Sequence, residues 1–355
     1  MELTIIKLQL FLMLLIQILI INKLLEYKII LEHKKIMNLQ NNKTLIKIQN
    51  NNNNEQQNIT QIIEIDNDKY KQYQSYFCEN QIIFKNDLIE ENIKKVKINL
   101  KNTTFDMYIY KNNDIVSKII SQYGFWETSE TQNLLKALLY YSKKKNIKKK
   151  DVYVLDIGAN IGWYSIFFGN HGFSIISFEP SKVNYYILLK NYCLNQDISM
   201  TIINKGLNIE EKNTTLYHPI KNLGDAIIFH NNFETNKSNY FSEQIKLTKL
   251  NNYIELLKNK SLALIKLDIE GSEGKAIQGG IDLILKYHIP FILMEFQPKL
   301  LKKQGTEPKE LFDIFENNGY RISDKSFFSQ RFVSINDLIN RRITNLYITF
   351  IKFIE

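Results

Sequence analysis

The chain has 355 residues, enough for one catalytic domain of ordinary size with additional segments. Its 46 basic and 37 acidic residues give a formal net charge of +9, yet only four of the basic residues are arginines. A nucleic-acid-binding surface needs clustered arginines with interleaved aromatic residues, so the composition argues against a nucleic-acid partner. The basic run 143–150 is interpreted as a solvated connection.

The two cysteines, Cys78 and Cys193, lie far apart in the sequence. Neither a Cys-x-x-Cys nor a His-Glu-x-x-His motif occurs, so the sequence predicts no zinc site and no disulfide framework. We therefore assign no metal ligand. A single bridge between the two cysteines remains open.

Residues 1–24 form the first segment, in which Leu3–Ile21 is apolar apart from four residues. This length nearly reaches the roughly 20 residues that span a bilayer. Because no small-x-small cleavage site follows, we predict an uncleaved signal anchor, with a cleaved signal or a short hydrophobic helix as alternatives. The lysines that follow it would by strict count leave the remaining chain in the cytosol. By analogy with membrane-anchored enzymes, we expect the secretory pathway instead.

Residues 25–84 are predicted to be a low-complexity stem, because the stretch 38–58 is rich in Asn and Gln and cannot bury enough apolar surface to fold alone. Six N-glycosylation sequons would suit a lumenal protein, although an Asn-rich chain produces several by chance. They begin at Asn42, Asn58, Asn102, Asn213, Asn236 and Asn259.

Residues 85–150 are predicted to be a cap on the catalytic domain. Alternating apolar residues over 96–110 predict a hairpin. Ser129 and Gln132 have the spacing of a capping box, and a stripe of leucines follows them, which predicts a helix packed on the sheet. Trp126 and Glu127 precede that helix, where they could close over a cofactor or simply anchor the helix start.

Residues 151–355 form the predicted catalytic domain, and its first elements carry the clearest pattern. The apolar, β-branched run from Val152 stops at Asp156, as in a strand buried on both faces of a parallel sheet. Gly158 and Gly162 bracket a tight turn, and a helix is predicted over 162–170. A second strand, 174–178, then ends at Glu179, which lies 21 positions after Gly158.

This strand, turn, helix and strand arrangement predicts a nucleoside site, in which glycines admit the ligand and the second carboxylate accepts hydrogen bonds from ribose hydroxyls. The Gly-x-Gly-x-x-Gly of dinucleotide sites is absent, and Asp156 would repel a pyrophosphate. A carboxylate there suits the ammonium and sulfonium charges of S-adenosylmethionine. We assign to that cofactor the five residues Asp156, Gly158, Asn160, Gly162 and Glu179.

The remaining chain predicts further strands that alternate with helices, at 200–204, 262–267, 291–294, 320–322 and 346–353. Residues 207–250 form a strand-and-loop insertion that we expect to help form an acceptor pocket. His218 and His230 lie in it, and we interpret both as exposed loop histidines although either could be catalytic.

Three carboxylates follow the strand 262–267, in the sequence Asp268-Ile-Glu-Gly-Ser-Glu273. Asp268 falls where open α/β sheets place ligands, so it could orient an acceptor hydroxyl, take its proton or hold a divalent ion. We predict catalytic roles for Asp268 and, around it, Glu270 and Glu295. Helix-dipole stabilisation at a helix start is the alternative explanation for Glu270 and Glu273.

These residues together resemble the FkbM-type family of S-adenosylmethionine-dependent methyltransferases. The resemblance rests on Gly124-Phe-Trp-Glu127, Asp156-Ile-Gly-Ala-Asn-Ile-Gly-Trp-Tyr-Ser165, Phe178-Glu179-Pro180, Ile265-Lys-Leu-Asp-Ile-Glu-Gly-Ser-Glu273 and Met294-Glu295. It implies an α/β fold with the seven-stranded, doubly wound class I methyltransferase sheet, whose last strand is antiparallel.

The same resemblance implies an enzyme that methylates a hydroxyl on a carbohydrate, lipid-linked or small-molecule acceptor. Two other classes of function remain open. One is a non-catalytic binding protein with the same fold, and the other is a nicotinamide-dependent oxidoreductase, which the missing third glycine disfavours.

Overall fold

A computed structural model of the chain describes residues 67–81, 86–101, 103–229, 239–340 and 344–355. The predicted anchor and most of the predicted stem lie outside these ranges. Within the part of the chain that is described, no helix combines the length and apolar character needed to cross a membrane. Residues 62–79 and 85–355 group into one compact unit, to which the following description applies.

The N-terminal part of this unit contains four helices and a hairpin. In chain order these are α1 (Asn67–Glu79), α2 (Asp87–Glu90), β1 (Ile93–Leu100), β2 (Thr103–Tyr110), α3 (Ile115–Tyr123) and α4 (Thr128–Lys145). Strands β1 and β2 pair antiparallel, which confirms the predicted hairpin. The predicted capping box is wrong, because α4 begins at Thr128, one residue before Ser129. The Thr131 hydroxyl binds the Trp126 carbonyl oxygen at 3.0 Å and thereby connects the first turn to the preceding chain.

The main sheet has seven strands in the order β12-β13-β11-β10-β3-β4-β5. Its strands are β3 (Val152–Ile157), β4 (Ser174–Phe178), β5 (Met200–Ile203), β10 (Ser261–Leu267), β11 (Phe291–Phe296), β12 (Tyr320–Ser323) and β13 (Thr344–Phe350). Strand β13 runs antiparallel to both of its neighbours, whereas the pairs formed by β3, β4, β5, β10 and β11 are parallel. The predicted seven-stranded sheet with an antiparallel last strand is therefore confirmed.

Helices occupy the connections between these strands, and one more follows the last strand. They are α5 (Trp163–Asn170), α6 (Lys182–Leu194), α7 (Glu273–Gln278), α8 (Ile281–Tyr287), α9 (Pro298–Lys303), α10 (Pro308–Glu316), α11 (Ile335–Leu338) and α12 (Ile351–Ile354). The last strand was predicted to continue to Phe353, but it ends at Phe350. The chain turns into α12 there, and the Phe353 ring stacks on Tyr141 with 5.1 Å between centroids.

Strands β3, β4, β10 and β11 form the centre of the sheet and are almost continuously apolar. Leu155, Ile265 and Ile292 lie side by side on adjacent strands and are fully buried. Polar side chains are consequently concentrated where these strands end, because both faces of the strands are covered.

The insertion after β5 forms a second sheet of four strands, in the order β6-β9-β7-β8. These strands are β6 (Gly206–Leu207), β7 (Lys212–Pro219), β8 (Ile227–Ile228) and β9 (Tyr240–Thr248). The sequence pattern predicts strands over 214–217 and 245–247 in this insertion, and β7 and β9 extend beyond both ranges. The connection from β7 to β8 brings residues 222–225 over the carboxyl edge of the main sheet, as described below.

Helix α1 covers the edge strand β5, although its residues fall within the predicted stem. Gln74 donates to the Met200 carbonyl oxygen at 3.2 Å and accepts from the Ile202 amide at 3.0 Å. One side chain therefore provides hydrogen-bond partners for two backbone groups at the edge of the sheet. A disulfide between Cys78 and Cys193 connects α1 to α6. The bridge that the sequence left open is thus formed, and the folded unit begins before the predicted boundary at residue 85.

Candidate functional site

Four carboxylates lie at the carboxyl ends of four adjacent strands. Asp156 pairs in register with Lys266 on one side and with Ser177 on the other. Glu179 directly follows β4, Asp268 follows β10, and Glu295 lies near the end of β11. The fold thus brings together most of the acidic residues predicted for the site, at the edge where open α/β sheets bind ligands.

The glycine turn between β3 and α5 is shaped by close contacts inside the protein. Gly158 has a φ angle of 78°, and a Cβ atom there would lie 1.9 Å from the Asp268 carbonyl oxygen. At Gly162 a Cβ atom would lie 2.3 Å from Leu188 Cδ1. Both glycines are therefore required for packing of the turn, in addition to the predicted role of admitting a ligand.

Glu179 is held rigidly beneath this turn. Its Oε2 accepts from the Asn160 amide at 2.7 Å, and its Oε1 accepts from the Ser181 amide at 2.8 Å. Burial raises the pKa of Glu179 to about 7, although these two hydrogen bonds oppose the shift. Since a carboxylate has about four acceptor positions, both oxygens can still accept from ribose hydroxyls.

Residues 222–225, which we name the covering loop, lie over the glycine turn. The Gly224 amide donates to Asp114 Oδ1 at 3.2 Å, and Asn160 Nδ2 contacts the Gly224 carbonyl oxygen at 3.5 Å. A Cβ atom at Gly224 would lie within 2.8 Å of both side chains. Asn160 itself has a φ angle of 52°, so a non-glycine residue is held in the left-handed region at this contact.

Asp156 is buried below the turn. Its Oδ2 accepts from the Ser165 hydroxyl at 2.5 Å, and Ser165 in turn lies 2.7 Å from the Ser177 hydroxyl. Its Oδ1 is buried and has no hydrogen-bond partner among the residues that the structure describes. Burial raises the pKa of Asp156. An oxygen in this state is suited to accept a hydrogen bond from a ligand ammonium group.

Lys266 lies at the centre of the site, and the sequence analysis gave it no role. Its Nζ is 3.2 Å from Asp268 Oδ2 and 3.3 Å from the Gly158 carbonyl oxygen. Burial alone would lower the pKa of Lys266, but attraction to Asp268, Asp156 and Glu127 outweighs burial and raises it. The sequence did contain a signal, because Lys266 interrupts an otherwise apolar central strand.

Glu127 and Tyr164 complete the surroundings of Lys266. The Tyr164 hydroxyl donates to Glu127 Oε2 at 2.5 Å, and Lys266 Nζ lies 5.3 Å from the centre of the Tyr164 ring. Glu127 has a φ angle of 43° and a pKa raised by burial. The segment before α4 therefore contacts the site.

Asp268, Glu273 and Glu295 form an acidic cluster in which one carboxylate oxygen of each residue lies within 4.8 Å of the other two. Glu273 is 1 % exposed, and its Oε1 accepts from the Ile269 amide at 2.9 Å and the Gly271 amide at 3.2 Å. Burial raises the pKa of Glu273 to about 7. Burial, followed by the charges of Asp268 and Glu273, raises the pKa of Glu295 to about 8.

Glu270 lies between this cluster and the covering loop. Its φ angle is 54°, and its side chain shares a hydrogen bond with Asp225. Burial raises the pKa of Glu270 well above its usual value, and the hydrogen bond and neighbouring carboxylates add to the effect. The side chain thus connects the loop after β10 to the second sheet.

His218 is not an exposed loop residue, so that interpretation is wrong. It lies in β7 with 1 % exposure, and its Nε2 is 2.8 Å from Glu243 Oε1. Its ring stacks on Phe241 with 4.4 Å between centroids. The difference arises because β7 extends to Pro219 and alternates inward at residues 216 and 218. His230 lies outside the described residues.

Residues 156–322 match the model of a family described as methyltransferase FkbM domain. No curated protein sequence matches the chain. Among solved structures, the bifunctional kinase-methyltransferase WbdD aligns at 12 % identity and a TM-score of 0.38, over 65 % of this chain and 41 % of WbdD. The chain thus spans about two fifths of that protein.

Two further solved structures align with this chain. One is the magnesium protoporphyrin IX methyltransferase ChlM from Synechocystis PCC 6803 with bound SAM, at 11 % identity, a TM-score of 0.34, and coverage of 81 % of this chain and 98 % of that one. The other is the T. thermophilus 16S rRNA N2 G1207 methyltransferase RsmC in complex with AdoMet and guanosine. It aligns at 10 % identity and a TM-score of 0.35, over 72 % of this chain and 50 % of that one.

Proposed function

Residues 156–322 match the FkbM methyltransferase domain, and from this we propose that the chain is an S-adenosylmethionine-dependent methyltransferase of class I fold that methylates a hydroxyl oxygen. The observation that carries the proposal is the row of Glu179, Asp156, Asp268 and Glu295 along four adjacent strand ends. It provides buried acceptors on one side for a nucleoside and more accessible carboxylates on the other for an acceptor.

The residues present fit the cofactor. Glu179 would accept hydrogen bonds from the two ribose hydroxyls with the positions that Asn160 and Ser181 leave free. The unpartnered Oδ1 of Asp156 would accept from the ammonium group. Gly158, Asn160 and Gly162 fix the turn above them. When bound, S-adenosylmethionine supplies a methyl group already activated by its sulfonium charge.

The protein's own contribution is to orient the acceptor and remove its proton. The Asp268 side chain is 35 % exposed, and Lys266 holds one of its oxygens at 3.2 Å. Asp268 therefore accepts a hydrogen bond from the acceptor hydroxyl and takes its proton as the new oxygen–carbon bond forms. Glu295 and Glu270 border the acceptor. Because the donor is already activated, most of the acceleration comes from alignment of the reacting groups.

For the acceptor we propose a carbohydrate, lipid-linked or small molecule whose hydroxyl reaches Asp268. The second sheet supports an acceptor pocket, because its covering loop contacts both the glycine turn and Glu270.

We propose that the protein functions in the secretory pathway, attached to the membrane by residues 1–24. The disulfide between Cys78 and Cys193 supports an oxidising compartment, because such bonds are rare in the cytosol. The sequon residues Asn213 and Asn259 are exposed and accessible to glycosylation. Mass spectrometry of the native protein with thiols blocked at lysis tests the proposal, and free thiols at both cysteines would contradict it.

Calorimetric titration of the full-length chain with S-adenosylhomocysteine tests the function. We expect a dissociation constant of about 1–100 μM, corresponding to about 5–8 kcal/mol of binding free energy. Glu179→Gln and Asp156→Asn should each weaken binding at least tenfold, because a charged acceptor is lost in a buried site. Glu310→Gln, an exposed substitution on α10, is the matched control and should bind normally.

Two outcomes would overturn the assignment. Folded wild-type protein that binds neither S-adenosylhomocysteine nor S-adenosylmethionine would favour the non-catalytic binding function. Binding of NAD alone would favour the oxidoreductase. Circular dichroism of each variant separates loss of the site from loss of the fold.

A further inference from the structure

We propose that Asp268, Glu273 and Glu295 bind one hard divalent cation, of the Mg²⁺, Mn²⁺ or Ca²⁺ type, at the acceptor side of the site. The three residues come from two adjacent strands and the helix after one of them. Asp268 directly follows β10, Glu295 belongs to β11, and Glu273 is the first residue of α7.

The geometry of the three carboxylates suits such a cation. One oxygen from each lies within 4.8 Å of the other two. Oxygen ligands lie roughly 2.0–2.6 Å from these cations, so two ligands on opposite sides are about 4–5 Å apart. The three oxygens can therefore reach a common ion with small side-chain adjustments. Carboxylate oxygens are also the ligands that these hard cations prefer.

Glu273 provides an independent indication of a ligand. Its side chain is 1 % exposed, and the Ile269 and Gly271 amides hold its Oε1. Within the described ranges its Oε2 is buried without any hydrogen-bond partner. A buried polar atom without a partner destabilises the fold, and more so when it is charged, so proteins seldom retain one without a use. A metal ion in the cluster would satisfy it.

The charges of the cluster lead to the same conclusion. Three carboxylates face one ammonium group, that of Lys266, which lies 3.2 Å from Asp268 Oδ2. The ionised cluster therefore carries two negative charges that this lysine does not balance, and one divalent cation would neutralise them. Asp156 and Glu127 also attract Lys266, so the lysine is shared among more carboxylates than those of the cluster.

The site is open on the side where an acceptor would enter. Glu273 forms its buried floor, whereas the Asp268 side chain is 35 % exposed and Glu295 is partly exposed. A cation here would have positions left for water or for an acceptor hydroxyl, whose proton it would make easier to remove. This last step rests on the proposed methyl transfer, whereas cation binding does not.

The test measures Mn²⁺ binding by electron paramagnetic resonance on the full-length chain, treated with a chelator and then freed of it, without cofactor or acceptor. We expect saturable binding of one Mn²⁺ per chain, which Mg²⁺ or Ca²⁺ displaces. Glu273→Gln and Glu295→Gln should each weaken binding at least tenfold. Glu316→Gln, an exposed carboxylate substitution on α10, should bind as the wild type does.

Folded wild-type protein without saturable Mn²⁺ binding would overturn the proposal and indicate that protons balance the cluster. Unchanged affinity in both Glu273→Gln and Glu295→Gln would also overturn it. Thermal melts of each variant without metal establish that the fold is intact, and Glu295→Gln is the safer variant because Glu295 is less buried. Since no methyl donor is present, a failed methyltransferase assay leaves this result unaffected.

Discussion

Two groups of buried polar side chains differ in how well their neighbours satisfy them. On α6 and directly after it, the carboxamides of Asn184, Asn191 and Asn195 are buried and all have protein partners. At the carboxyl edge of the main sheet, Asp156 and Glu273 each keep a buried oxygen without a partner in the described structure. The first group is complete within the protein, whereas the proposed cofactor and cation would complete the second.

This difference distinguishes polar side chains that stabilise the fold from those that we propose to bind ligands. Asn191 connects three segments, because it bonds both to the Tyr108 backbone and to the Ile161 carbonyl oxygen. At the sheet edge, residues are instead held in costly states, with raised carboxylate pKa values and the left-handed backbone of Asn160 and Glu270. Burial alone would not distinguish the two groups, but satisfaction of hydrogen bonds does.

The disulfide between Cys78 and Cys193, close to Asn191 and Asn195, gives the largest expected effect on stability. Replacing both cysteines, as Cys78→Ala with Cys193→Ala, should lower the free energy of unfolding by about 4 kcal/mol. The bond closes a loop with a sequence separation of 115 residues, which restricts the unfolded chain. Urea denaturation measures the change.

Reduced wild-type protein is the control and should unfold at the same urea concentration as the double variant. Cys193 lies near the end of α6 opposite to Ser181, roughly 18 Å away along the helix. The folded variant should therefore keep its affinity for S-adenosylhomocysteine. A stability change below about 1 kcal/mol would contradict the expected contribution of the disulfide.

Asn191 should give the next largest effect. Asn191→Leu removes three hydrogen bonds, at 2.5, 3.0 and 2.7 Å, and leaves backbone groups of Tyr108 and Ile161 without those partners. We expect a loss of about 3 kcal/mol in the free energy of unfolding. Asn99→Leu, exposed on β1, is the matched control and should change stability by less than about 0.5 kcal/mol. If both variants lost the same free energy of unfolding, the hydrogen bonds of Asn191 would not stabilise the fold as we expect.

The sequence predicted most of the main sheet because its central strands are short apolar runs with an acidic residue at or directly after each carboxyl end. The boundaries of β4 match the prediction, and those of β3, β5 and β10 differ by a residue or two. Helix α1 was missed because the Asn-rich composition around it obscured the helical spacing of Tyr70, Tyr73 and Phe77. The disulfide could not be inferred, because pairing depends on tertiary distances.

At the site, the sequence indicated where acidic residues would gather but not how they would interact. Lys266 was missed because a single lysine in a strand indicates no role until the residues on the neighbouring strands are known. His218 was misjudged because the length of β7 depends on its pairing with β9. Glu273 was explained by the helix dipole, and only the structure shows that its carboxylate approaches two others.

The smallest of these effects comes from Glu295, a neighbour of Glu273 in the acidic cluster, and has the opposite sign. In the presence of a chelator, Glu295→Gln should raise the free energy of unfolding at pH 8 by roughly 2 kcal/mol and leave it nearly unchanged below pH 4.5. Folding raises the pKa of Glu295 from 4.5 to about 8, so the folded state prefers the protonated form. Stability is therefore full below pH 4.5 and is lost as the pH rises toward 8.

The gain stays at this size because Glu295 is partly exposed, so that water screens its repulsion from Asp268 and Glu273. Urea denaturation between pH 4.5 and 8 measures the slope, with Glu316→Gln as the exposed control. A variant with the wild-type slope would show that Glu295 titrates normally. Ionisation of Glu295 would then not be penalised in the folded state, and its position in the acidic cluster would be no more costly than an exposed one.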